Sequence, residues 1–280
     1  MRFLREGREA RRGLPLKRKA RAALRSAILA GLYPLHRLAS ACRPARPDLR
    51  VVLYHHVFDD ERENFRKHLA WLAGRFELLD LERFLARLAG RERAERPSLL
   101  VTFDDGFRDN LTNAAPVLEE FGARAAFFVS TAFVDLTEVD EAEHRRYARE
   151  VFHTREPVEN LSWADLAELA RRGHAIGSHT MTHRRMTGLS VEEAARELEE
   201  SRRIIESRRG VAATDLSFPY GRERDRRSDL ADLARRAGYR SCFSSIRGAN
   251  RPGGDPYDIR RDALDPSWPL VQVKYFMSGE

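Results

Sequence analysis

Cysteine is scarce in this chain, with Cys42 and Cys242 alone among 280 residues. Two thiols so far apart in sequence read as free groups rather than as a disulfide framework, and they leave the redox compartment open. Long apolar runs are missing too: nothing approaches the roughly eighteen uninterrupted residues that a membrane-spanning helix requires. Internal repeats and low-complexity tracts are absent, which sets aside repeat architectures. A single sign of charge is also lacking from the body of the chain. The net charge is +7, but residues 1–47 hold thirteen Lys or Arg against two Glu, so the remainder is mildly acidic at −4. A nucleic-acid-binding domain would carry basic clusters on its folded part together with a reading motif. No nucleic-acid partner is therefore expected.

The basic surplus sets residues 1–48 apart as an arm and linker ahead of a domain over 49–280, with Arg43–Pro47 and its two prolines as the linker. Three readings of the arm stand side by side. A cleaved leader needs an unbroken apolar core, and Arg25, His36 and Arg37 interrupt Ala20–Ala41, although Ala39-Ser40-Ala41 before Cys42 suits a processing or lipidation site. Leu24, Ile28, Leu32 and Leu35 fall at helical spacing among cations, as in a segment lying on an anionic membrane face. The plainest reading is a disordered or domain-packing arm. The expected location is cytoplasmic or peripheral to a membrane, with secretion left open.

What is present is an alternation of short apolar runs with helical patterns. Val51–Tyr54, Ser98–Phe103, Ala125–Val129, Ala175–Ile176, Leu216–Phe218 and Tyr239–Ser244 read as strands, with a brief one beginning at Leu79. Helices are expected over Glu63–Gly74, Leu81–Leu88, Asn113–Phe121, Trp163–Arg172 with Ser162 as N-cap, from Ser190 to about Arg208 behind a Ser190/Glu193 capping box, and Arg227–Ala237. Residues 131–160 break this rhythm and read as a long insertion of the kind that forms lids or substrate loops. Such alternation fits either a parallel barrel or a doubly wound sheet.

The chemistry-bearing residues fall at strand ends. Asp104 and Asp105 follow Ser98–Phe103 and precede Gly106, while His179 and His183 follow Ala175–Ile176. Alone, an Asp-Asp-Gly is most often a solvated turn, and a His-x-x-x-His two surface histidines. Together they supply one divalent metal with a carboxylate and two imidazoles, the donor set of hydrolytic zinc sites, and leave a carboxylate over for proton transfer. If the second segment turns helically, its two rings, one turn apart, reach one ion.

The ordered motifs Thr102-Phe103-Asp104-Asp105-Gly106, His179-Thr180-Met181-Thr182-His183 and Phe218-Pro219-Tyr220-Gly221 make the chain resemble the polysaccharide deacetylases of carbohydrate esterase family 4, over roughly residues 49–265. That resemblance implies a distorted (β/α) barrel of seven or eight strands with its active site at the carboxyl ends. It implies a metal-dependent removal of N-acetyl groups from an acetylated polysaccharide or glycan. One divalent ion is implied on Asp105, His179 and His183, zinc by preference, with cobalt or nickel also compatible. Asp104 becomes the general base and the Tyr220 backbone N–H the oxyanion donor. A catalytically silent carbohydrate-binding relative and an amidohydrolase of the same fold acting on a small amide are the alternatives.

Two departures from the family pattern stand out. Where the family carries an arginine just before Pro-Tyr, this chain has Asp215, Leu216, Ser217 and Phe218, so Arg261 becomes the candidate support for the catalytic aspartate. No histidine follows His183, so the late histidine that protonates the leaving amine is missing from its usual place. Some exopolysaccharide-modifying members resemble this chain in carrying a Tyr-His at the first strand instead, as though the barrel were circularly permuted. The matching residue is His55, the candidate general acid, whereas His56 reads as a packing histidine.

Overall fold

The structure is a computed structural model that describes residues 3–12, 20, 24, 28–29, 31–33, 48–136, 141–154, 156–209 and 213–278. The expected linker Arg43–Pro47, along with Cys42 and Leu35, lies outside the described residues.

Among the described residues, eight strands form one parallel sheet: β1 Leu49–Tyr54, β2 Glu77–Leu79, β3 Ser98–Phe103, β4 Ala125–Val129, β5 Ala175–Ser178, β6 Asp215–Ser217, β7 Ser241–Phe243 and β8 Asp262–Ala263. Their order is β7-β6-β5-β4-β3-β1-β8, and β2 occupies the amino-terminal half of the β3 edge whose other half pairs with β4. A bridge from Ile259 to Phe243 and the pairing of β8 with β1 join the two ends of the sheet. The result is a distorted (β/α) barrel.

β1, β3 and β4 are buried along their whole length, which is why they read as continuous apolar runs rather than alternating ones. Alternation survives in what each side touches. Val52, Tyr54, Val101, Phe103 and Phe127 pack with Phe65, Leu69 and Leu72 of the helix Arg62–Arg75. Leu49, Val51, Leu100 and Phe128 face the other way, against Phe84, Leu85 and Leu88 of the helix Leu81–Leu88 and against Phe243 and Ile259. Gly177 in β5 marks the tightest approach: a Cβ there would stand 2.5 Å from the Phe128 ring and 2.8 Å from the Asp215 carbonyl oxygen.

Register brings the strand ends to one level. Tyr54 pairs with Phe103, Phe103 with Phe127, Val129 with Ser178, Ser178 with Leu216, and Ser217 with Phe243. Residues just beyond these positions (His55, Asp104, His179, Phe218 and Ser244) therefore emerge at a common rim.

The structure corrects several expectations. The helix Asn113–Phe121 is instead a wide turn over Asn110–Ala114 followed by Ala115–Glu120. Pro116 has no N–H to return to the preceding turn, so the ordinary helical bond cannot form there. Residues 131–160 are not one irregular insertion, since they contain the helices Thr131–Asp135 and Glu141–Glu150. Short helices sharing an aromatic cluster of Phe107, Phe133, Tyr147 and Phe152 need no long apolar stripe, which hid them from a periodicity argument. The last long strand shortens to Ser241–Phe243.

Residues 3–12, on the arm side of the expected division at residue 48, pack on the domain. The Leu4 N–H donates to the Pro157 carbonyl, the Asp59 N–H to the Arg5 carbonyl, and the Gly7 N–H to Asp60. Arg11 pairs with Glu61.

His174 secures the start of β4. Its Nδ1 accepts the Ala125 N–H at 3.1 Å, a role open only to the neutral ring. Burial, aided by the Arg124 charge, pushes its pKa from 6.5 down to about 4. As pH falls from 6.5 toward 4 the unfolded chain takes up a proton that the folded chain refuses, so this contribution is complete above pH 6.5 and is lost on acidification. The loss should approach about 3 kcal/mol. Denaturant unfolding over that window should show a steeper decline for the natural chain than for His174→Gln; equal slopes would contradict the assignment.

Candidate metal and catalytic centre

Asp104 and Asp105 are consecutive, so a regular strand would aim them to opposite sides. Asp104 keeps the strand geometry, donating its N–H to the Tyr54 carbonyl at 3.1 Å, and thus shares the inner side with Leu100 and Thr102. Asp105 departs from it with φ 78°, a left-handed conformation that Asp tolerates better than most residues. Gly106 follows at φ 95°, where a Cβ would press to 3.1 Å from a Val129 methyl. The turn brings both carboxylates into one buried centre.

The second segment arrives from β5. The His179 N–H donates to the Val129 carbonyl, and its Nδ1 lies 2.8 Å from the Ser217 carbonyl oxygen. A carbonyl only accepts, so Nδ1 carries a hydrogen and Nε2 is the nitrogen that faces the centre, 3.4 Å from Asp105 Oδ1. His183 brings its Nε2 to 3.1 Å from the same oxygen. This segment does not turn helically, the condition under which a one-turn spacing would bring both rings to one ion. Thr180 and His183 both have positive φ, at 64° and 59°, and the chain loops tightly. The rings still converge, with centroids 5.0 Å apart.

Glu197 shapes that loop. It reaches in from the helix Val191–Arg209, and one of its carboxylate oxygens accepts the N–H groups of Met181 and Thr182 at 3.0 and 2.8 Å while the other takes the Thr182 hydroxyl. The motifs gave no hint of it. A signal was available nonetheless: Glu197 interrupts the stripe Ala194, Leu198, Ser201, Ile205 that the helix buries.

One donor atom each from Asp105, His179 and His183 lies within 4.8 Å of the others, and all three residues are buried. The residues fit a cation. Asp105 Oδ1 is buried and receives no hydrogen bond, an arrangement costly for a carboxylate oxygen unless positive charge faces it. The Nδ1–H of His179 bonded to a carbonyl is the outer support that metal-binding histidines usually have. Burial pushes the Asp105 pKa up, but His183 and His179 outweigh it and hold the carboxyl well below its usual range.

Asp104 is held differently. Arg261, fully buried, donates Nη1 to Oδ1 at 2.8 Å and Nη2 to Oδ2 at 2.7 Å, a bidentate clamp. The same guanidinium reaches the Ser217 hydroxyl, the Ser244 carbonyl and the Thr102 hydroxyl. Burial pushes the Asp104 pKa up, yet the charges of Arg261 and His179 bring it below the usual value. Ser217, which sequence reasoning missed, also donates its hydroxyl to Asp104 Oδ2 at 3.2 Å.

His55 follows β1 directly beside Asp104, with its own carbonyl anchored by Asn110 Nδ2 at 2.8 Å. His55 is exposed at the rim. The protein packed around it lowers its pKa, against the pull of the Asp105 and Asp104 charges. His56 is a packing residue, stacked between Phe58 and Phe107 and bonded to Asp109 at 2.8 Å. Tyr220 sits at φ 63° beside the tight turn closed by the Gly221 N–H and the Pro219 carbonyl, and its own N–H has no acceptor among the described residues. Its ring lies 5.3 Å from that of His183, with Phe152 5.8 Å away on another approach.

The polysaccharide deacetylase family model matches residues 91–242, more than half of the chain, and the protein belongs to that family. The Bacillus subtilis (strain 168) protein YxkH is 23% identical over 230 residues, covering 80% of this chain and 73% of its own length. Among solved structures, the Streptococcus pyogenes deacetylase PplD, in complex with acetate, has a TM-score of 0.67 at 17% identity, covering 83% of this chain and 98% of that one. IcaB from Ammonifex degensii has a TM-score of 0.67 at 23% identity, with coverage of 83% and 98%. These likenesses establish the fold. The matched stretch contains Asp104, Asp105, His179, His183 and Tyr220 but neither His55 nor Arg261, which reach the centre from outside it.

Replacing Arg261 with Met should strip Asp104 of its counter-charge inside the barrel. The expected cost is about 3–5 kcal/mol of stability, measured by denaturant unfolding. A loss below about 0.5 kcal/mol would place the pair among solvent-screened contacts.

Proposed function

We propose that the protein is a metal-dependent hydrolase that removes N-acetyl groups from an acetylated polysaccharide or glycan. The observation that carries this reading is the division of labour between neighbouring aspartates: Asp105 converges with two imidazoles at 3.4 and 3.1 Å, while Asp104 is clamped by Arg261 and comes no nearer than 3.9 Å to His179. Family membership supports the substrate class.

Amide hydrolysis needs an activated water, a stabilised oxyanion and a protonated leaving nitrogen. Asp105, His179 and His183 would hold one divalent metal, zinc by preference, which when bound acidifies a water and polarises the acetyl oxygen. Asp104 would accept the proton of the attacking water. Arg261 fixes its carboxylate and keeps it ionised, ready to accept. The unpartnered Tyr220 N–H donates to the oxyanion, and a left-handed residue in a tight turn holds it there without reorganisation. His55 then protonates the leaving nitrogen, as an imidazole can near neutral pH.

The experiment that tests this reading is acetate release from a panel of N-acetylated glycans, with metal content measured in parallel. Chelation should abolish release, and about one equivalent of zinc, cobalt or nickel per chain should restore it; full turnover by metal-free protein would sink the proposal. Asp104→Asn should keep its metal and lose turnover. If that variant loses its metal instead, the two aspartates have been exchanged. His55→Ala should bind metal normally yet hydrolyse amides about a hundred- to ten-thousand-fold more slowly, with activated acetyl esters suffering less because their leaving groups need no proton. Unchanged amide turnover in that variant would refute the role of His55.

A further inference from the structure

The protein buries its large apolar side chains nearly everywhere, with one concentrated exception. Leu24, Ile28 and Leu32 are 61%, 50% and 44% exposed, and besides them Val191 alone is an exposed large hydrophobic among the described residues. Each of the three lies in helical backbone, and side chains four positions apart in a helix fall on a common face. Leu29, off that spacing, is buried. The exposed residues follow a helical period rather than a scatter.

Its electrostatic setting is as distinctive as its shape. The sequence around it carries Lys17, Arg18, Lys19, Arg21, Arg25 and Arg37, within a segment of net +11 attached to a domain of net −4. An apolar stripe among cations matches one kind of surface on both counts. Apolar side chains enter the acyl boundary of a bilayer while ammonium and guanidinium groups meet anionic headgroups. A nucleic acid would answer the charge and leave the stripe in water. A second copy of the chain would cover the stripe but bring two +11 segments together.

We propose that Leu24, Ile28 and Leu32 dock on an anionic lipid bilayer, making this arm a peripheral membrane contact. Residues 3–12 fasten the beginning of the arm to the domain through Pro157, Asp59, Asp60 and Glu61, so lipid binding carries the domain to the membrane surface. This inference is independent of the catalytic reading.

The test is co-sedimentation of the full chain with phosphatidylglycerol vesicles and with phosphatidylcholine vesicles, at low salt and at 0.5 M salt. Strong binding to phosphatidylglycerol alone, weakened by salt, is expected. The triple variant Leu24→Ser, Ile28→Ser, Leu32→Ser keeps every charge and should bind at least about ten-fold more weakly, with an unaltered thermal unfolding curve. Three outcomes would overturn the proposal: no preference for the anionic vesicle, undiminished binding by the variant, or a concentration-dependent dimer that the variant abolishes while natural protein ignores both vesicles. Unaltered vesicle binding on replacing Arg18, Lys19, Arg21 and Arg25 with Gln would equally overturn the electrostatic half.

Discussion

Asp104 and Arg261 form the ion pair on which the rest of the barrel depends. A carboxylate inside a protein is tolerated only with an opposite charge and hydrogen bonds around it. Arg261 supplies two hydrogen bonds to Asp104 and spends its remaining donors on Ser217, Ser244 and Thr102. Those partners belong to β3, to β6 and to the residue after β7, while Arg261 itself precedes β8. One side chain thus ties together the strands that close the sheet. The side chain that keeps the proposed base ionised also bonds to the Ser244 carbonyl after β7, next to the bridge that closes the sheet.

The second organising device is backbone conformation. Asp105, Thr180, His183 and Tyr220 all adopt positive φ without being glycine. Such residues are uncommon, and four of them in one centre mark where local preference has yielded to tertiary demand. Three of the four have a visible compensation. Gly106 completes the turn after Asp105, the Ser178 hydroxyl accepts the Thr180 N–H, and Glu197 holds the two amides between Thr180 and His183. The turn at Tyr220 instead leaves an N–H without a partner among the described residues.

Around this core the chain builds an aromatic wall. Phe107, Phe133, Tyr147 and Phe152 pack on one another, and Phe152 continues to His183, whose far side meets Tyr220. The region between β4 and β5 is therefore built into the rim beside the histidines. Leu4 joins the same cluster, so the chain's first residues share a packing unit with the wall of the centre.

The sequence by itself determined the longer buried strands, the helices with strong caps, and the candidate donor residues, but neither β8 nor the bounds of β2, which ends at Leu79 where a strand was expected to begin. Ser98–Phe103 and Ala125–Val129 were legible because strands buried on both sides must be apolar throughout, and Ser162 because an N-cap is local chemistry. Asp104, Asp105, His179 and His183 were legible because two carboxylates and two imidazoles fall at strand ends, where a proposed metal and proton-transfer centre would need them. The tertiary structure alone decided the rest. It showed Arg261 entirely buried rather than solvated, since 157 residues separate it from Asp104 and no local pattern reports a contact across closing strands. It decided that His179–His183 forms a loop with two left-handed residues rather than a helical turn, because the anchor of that loop, Glu197, lies on another element. It brought out Ser217 as well, whose hydroxyl matters only once β6 lies opposite β3 across the barrel. Local propensity and donor chemistry are written residue by residue, whereas convergence is set by register and closure, which exist only when distant strands meet.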